Sequence, residues 1–76
     1  MRVLLFGKLK DIIGTNSIEV RGLKRISDLK EFLFQKFPEL KNQTFSISVN
    51  FEIVLEEDLE IKENDEIALL PPISGG

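Results

Sequence analysis

A chain of 76 residues with a net charge of −3 that contains neither cysteine nor histidine cannot build a disulfide framework, a thiolate or imidazole metal site, or most nucleophile–base pairs. The acidic balance carries no basic stripe, which argues against a nucleic-acid partner, and no apolar run approaches the roughly 20 residues needed to cross a bilayer. With 42% hydrophobic and 30% charged residues, the composition predicts one small cytoplasmic globular domain that is not catalytic on its own.

The first element is RVLLF (Arg2 to Phe6), a short apolar run that predicts a strand buried on both faces. Gly7 and Gly14 bracket KLKDII, either a short helical turn or a loop, with Leu9, Ile12 and Ile13 folded inward. NSIEVRG alternates, putting Ile18 and Val20 on one side, and predicts a strand antiparallel to the first that ends at Gly22.

Ser27 is the expected N-cap of a helix from about Asp28 to Phe37, with Asp28 near the positive end of its dipole. Leu29, Phe32, Leu33 and Phe37 recur at helical spacing as one apolar stripe, and Phe34 lies at its edge. Pro38 stops the helix, because the residue before a proline is pushed out of the α region.

FSISVNFEIVL (Phe45 to Leu55) is strand-like throughout, and Asn50 divides it into two short strands around a turn or bulge. The acidic stretch EEDLEIKENDE follows, its END forming a tight turn. EIALLP then predicts a last strand, apolar on both faces like the first, so these two strands belong at the centre of a sheet. Strand, strand, helix, two strands and a buried terminal strand, with the first and last strands parallel neighbours, satisfy the crossover rule. The expected fold is α+β: a β-grasp, ubiquitin-like mixed sheet of four to five strands with one main helix on one face. Its folded domain spans residues 1–70, and residues 71–76 form a flexible tail.

That tail, PPISGG, carries the functional signal. The six residues Pro71 to Gly76 can reach about 20 Å. Pro71 and Pro72 hold its base in an extended path, so less entropy is lost when the tip docks. Gly75 and Gly76 have no Cβ and can enter a closed site that side chains would not fit. Two terminal glycines arise by chance about once in 200 chains, and chain ends tolerate glycine readily. On this fold plan, after two prolines, they point instead to a carboxylate presented for activation. Gly76 would be ionised at neutral pH and inert to nucleophiles until an ATP-using enzyme turns it into an acyl-adenylate.

VLLFGKLKDIIGT (Val3 to Thr15) and SVNFEIVL…NDEIALLPPISGG (Ser48 to Gly76) resemble the small subunit of molybdopterin synthase, a family of sulfur carrier proteins with an apolar-Pro-Pro-apolar-Ser/Thr-Gly-Gly ending. The resemblance implies two partners, and hence a hetero-oligomer. A ubiquitin-activating-like enzyme would adenylate Gly76 with ATP and magnesium, and a persulfide donor would convert it to a thiocarboxylate. The large synthase subunit would then receive the tail, Pro71, Pro72, Ile73, Ser74, Gly75 and Gly76, and pass the sulfur to a pterin precursor. The chain itself would bind no cofactor and no metal. By position, Phe6, Ile53 and Leu70 match apolar residues at the family's subunit interface, with simple core packing as the competing role. Lys8 and Lys10 could pair with acidic groups on a partner, or simply be solvated. Glu56, Glu57 and Asp58, consecutive on a turn, do not converge and are expected to be solvated.

Two alternatives stay open. The same tail chemistry would serve a carrier for thiamin or tRNA thiolation, or a ubiquitin-like modifier of lysines. A β-grasp interaction module with an incidental tail is the other.

Overall fold

The computed structural model describes residues 1–72. Five strands form one mixed sheet: β1 (Arg2–Leu5), β2 (Ser17–Glu19), β3 (Ser46–Val49), β4 (Glu52–Val54) and β5 (Glu66–Leu70). The spatial order is β2-β1-β5-β3-β4, so β5 is central and β1 lies beside it. β1 and β5 run parallel with Leu4 opposite Ala68 and Leu5 opposite Leu69, whereas β2 pairs antiparallel to β1 and β3 antiparallel to both β5 and β4. This is the β-grasp plan expected from the chain order.

KLKDII forms a helix, α1 (Lys8–Ile13), which closes at Gly14 in the left-handed region, where its N–H bonds to the Lys10 carbonyl at 2.8 Å. The main helix, α2 (Ile26–Lys36), begins two residues earlier than expected. Ser27 is not its cap. The Asp28 carboxylate instead accepts the backbone N–H groups of Lys24 and Arg25 at 3.2 and 3.0 Å, so the helix opens at Ile26, whose side chain is buried. The helix ends at Lys36, and Pro38 starts a short 3-10 turn, Pro38–Asn42.

One face of the sheet is closed by α2. Ile26, Leu29 and Leu33 pack with Val3, Leu5, Ile47, Ile67 and Leu69 in one buried cluster, with Leu9, Leu40 and Ile61 filling its margins. Phe32 and Phe37 stay half-buried at its edge, and Phe34 meets the Phe45 ring edge-on at 6.1 Å.

The expectation that β1 and β5 are buried on both faces is corrected by this arrangement. With a single main helix, only the odd-numbered side chains of these strands are fully buried. Leu4, Ala68 and Leu70 are half-buried and Phe6 is exposed on the opposite face. Apolar side chains on both sides of a strand therefore mark an uncovered apolar surface here.

Candidate functional site

The uncovered face owes its shape to strand register. Leu4 lies opposite Ala68, Ala68 opposite Ser48, and Ser48 opposite Ile53, a row that crosses four strands. Because side chains alternate across a strand, all four point away from α2. One step along, Leu70 lies opposite Ser46, with Phe6 just beyond the end of β1. The small side chains of Ala68 and Ser48 sit in the middle, and larger ones surround them. The result is a groove of about 320 Å³ lined by Leu4, Phe6, Ser48, Phe51, Ile53, Glu66, Ala68 and Leu70.

Three residues singled out in the sequence meet here. Phe6 is 45% exposed and Ile53 59% exposed, and Leu70 is half-buried between them on the central strand. Isolated exposed apolar residues are ordinary, but a contiguous group on one sheet face marks an interaction surface. Their placement is on the uncovered face and outside the buried core. Lys8 and Lys10 are exposed on α1 and do not line this groove.

The base of the tail leaves from the same place. Leu70 ends β5, and Pro71 packs half-buried over the turn between β1 and α1. A Cβ built on Gly7 would lie 2.9 Å from Pro71 Cγ, so the proline ring rests directly on the glycine backbone. Gly7 has φ +58° and ψ −134°, a combination open to glycine and strained for other residues. Pro72 is exposed. Ile73, Ser74, Gly75 and Gly76, which carry the expected chemistry, lie outside the described residues.

The groups with displaced pKa values do not line the groove and act as clamps. The Met1 α-amino group donates to Glu19 at 2.8 Å and to Glu63 at 3.2 Å; the Glu19 bond chiefly raises the amine's pKa, and the amine in turn lowers that of Glu19. Asp65 is held below the ordinary aspartate value, first by the Lys62 N–H and then by the Asn50 side-chain amide. Glu56, Glu57 and Asp58 are exposed, and Glu57 approaches Lys30 at 3.6 Å. No helix among the described residues is long and apolar enough to cross a membrane.

Two contributors escaped the sequence reading. Gly7 was legible only as punctuation, and its contact with Pro71 joins opposite ends of the chain. Phe51 hid beside Asn50, where the turn was expected. Both Asn50 (φ 52°) and Phe51 (φ 72°) adopt positive φ, which the period-2 pattern of side chains does not report. The bare signal was an aromatic residue immediately after the turn-forming asparagine.

Comparisons with known proteins agree with this fold. The model of the ThiS family matches residues 3–76. A molybdopterin synthase sulfur carrier subunit from Dictyostelium discoideum is 34% identical, with 99% of this chain and 94% of that protein covered. A chain from a protein–protein complex of subunits 1 and 2 of the molybdopterin-converting factor from Helicobacter pylori matches at 26% identity and a TM-score of 0.76, covering 99% of this chain and 96% of that one. The small archaeal modifier protein SAMP1 from Methanosarcina acetivorans matches at 29% identity and a TM-score of 0.82, with coverage of 99% and 94%.

Proposed function

The chain belongs to the ThiS family, and on that premise we propose that it serves as the sulfur carrier subunit of a molybdopterin synthase in the cytoplasm, with Gly76 as the acceptor and donor of sulfur. The observation that carries this reading is the match, at 32–34% identity over 99–100% of the chain, to proteins named as that subunit. The open groove beside the base of the tail supports it physically.

The chemistry begins on an adenylating enzyme that supplies ATP and magnesium. A Gly76 carboxylate oxygen attacks the α-phosphorus of ATP, and pyrophosphate leaves. The terminal sulfur of a persulfide then attacks the acyl carbon, AMP departs with the displaced oxygen, and a thiol cleaves the remaining S–S bond to free the thiocarboxylate. In the large synthase subunit the thiocarboxylate sulfur bonds to a carbon of a pterin precursor as an oxygen substituent leaves. Water then cleaves the acyl C–S bond and restores the Gly76 carboxylate. A second charged carrier supplies the second sulfur of the dithiolene in the same way.

This chain contributes position, not acid–base groups. Phe6, Ile53 and Leu70 dock the body through the uncovered sheet face. Pro71, seated on Gly7, fixes where the tail departs, and Pro72, Ile73 and Ser74 extend it toward the partner's site. Restricting the base of the arm lowers the entropy lost when its tip is threaded, and glycine at the last two positions admits the backbone to a closed site.

Removing Gly75 and Gly76 tests the reading. The truncated chain is expected to stay folded and to form no dithiolene product in a reconstituted synthase. Undiminished product would overturn the assignment.

The likeness to a small archaeal modifier protein favours one second reading, attachment of Gly76 to lysines of other proteins. Its signature is a ladder of thiol-stable adducts on a denaturing gel, which a dedicated sulfur carrier does not form.

A further inference from the structure

The β3–β4 hairpin turns through a conformation that suits glycine better than the residue it carries. Asn50 and Phe51 are consecutive residues of positive φ, the pattern of a type I′ turn, whose second position is ordinarily glycine. For a bulky residue such a φ is an outlier, and residues held this way cluster at ligand clamps and interfaces. The Phe51 side chain gains no compensating burial, since the residue is 84% exposed. Its backbone is nonetheless fixed. Asn50 N–H donates to the Glu66 carbonyl at 2.8 Å, Glu66 N–H donates to Asn50 Oδ1 at 3.0 Å, and Asn50 Nδ2 donates to Asp65 Oδ1 at 3.0 Å.

The ring therefore stands on a rigid platform at the rim of the groove, across a floor of Ala68 and Ser48 from Phe6. We propose that Phe51 is a docking residue in its own right, a pre-positioned aromatic anchor that seats among apolar side chains of the large synthase subunit. The inference rests on the sulfur-carrier reading and extends its interface to the hairpin tip. That partner is chosen because a solved relative comes from a complex of subunits 1 and 2 of a molybdopterin-converting factor, and because the groove is continuous with Leu70, which immediately precedes the tail. A rigid aromatic loses little conformational freedom on binding, and such residues dominate binding energy where they fill pockets near the centre of an interface. Glycine would suit the turn better, and a contact outside the chain would account for the exposed phenyl ring at this position.

The test compares Phe51→Gly and Phe51→Tyr with the wild-type chain, measuring calorimetric affinity for the large synthase subunit of the same organism and thermal stability of the free carrier. Phe51→Gly relieves the left-handed strain, so its Tm stays level or rises while affinity falls by about tenfold or more. Phe51→Tyr keeps the ring and binds within about threefold of wild type. Equal affinity for Phe51→Gly and wild type overturns the inference. A loss of affinity accompanied by a lowered Tm also overturns it, because the ring then serves the hairpin's own folding. If the wild-type chain forms no complex with that subunit, the sulfur-carrier partnership itself fails, and the anchor with it.

Discussion

Gly7 and Pro71 are in direct contact: the Cβ that any other residue would add at position 7 falls 2.9 Å from Pro71 Cγ. The turn leaving β1 thereby seats the residue that begins the tail. Gly7→Ala combines a steric clash with a backbone conformation unfavourable to alanine, and should destabilise the fold by about 1–3 kcal/mol. Urea denaturation measures this. Gly7→Ala with Pro71→Ala removes the clash but leaves the positive φ, so the double variant should recover only part of the loss.

Phe6 and Ile53 are exposed and Leu70 is half-buried on the uncovered sheet face, whereas Leu33 of α2 is fully buried in the core. Ile53→Asp should therefore leave stability within about 0.5 kcal/mol of wild type and abolish detectable association with the large subunit. Leu33→Ala should do the reverse, costing about 2–5 kcal/mol without altering any groove residue. Denaturation and a binding titration on the same two proteins separate the effects, and a large stability loss in Ile53→Asp would return that residue to the core.

Asp65 ties the acidic turn to the β3–β4 hairpin by accepting the Lys62 N–H at 2.7 Å and the Asn50 side-chain amide at 3.0 Å. Its pKa is lowered in the folded state, so the unfolded chain takes up the proton first as pH drops. The stabilisation is fully present above the unfolded value near 3.8 and is lost as pH falls through the lower folded value. Asp65→Asn should reduce stability at pH 7 and flatten its decline on the acid side. Tm measured from pH 2 to 7 checks both, and identical profiles for variant and wild type would contradict the clamp.

The Met1 amine gives the opposite pH signature. Its pKa is raised above 8.0, mainly by the hydrogen bond to Glu19. Its contribution is complete below the unfolded value and disappears as pH rises through the folded one. Glu19→Gln should lower stability near neutrality and weaken the alkaline fall, as followed by Tm between pH 7 and 10.

How much of this could be read from the sequence depended on how local each cause is. Leu29, Leu33 and Pro38 announce α2 because helical spacing and a proline stop act over a few residues. Asn50 announces a turn for the same reason. The helix start was misplaced because Ser27 is the better cap by residue type, while the Asp28 carboxylate reaches back to two backbone N–H groups. The face on which Leu4, Ala68 and Leu70 lie could not be settled by hydrophobicity, since an apolar residue looks alike beneath a helix and beneath a partner. Gly7 and Pro71 meet only through the parallel pairing of β1 with β5. Phe51 is a matter of backbone dihedral angle, to which side-chain periodicity is blind.

The most direct measurement is the intact mass of the chain after incubation with its adenylating enzyme, ATP, magnesium and a persulfide donor. The account predicts a gain of about 16 Da, one oxygen replaced by sulfur, located at Gly76 by fragmentation and absent when ATP is withheld. An unchanged mass under conditions that charge a known carrier, or a gain located anywhere but Gly76, would contradict it.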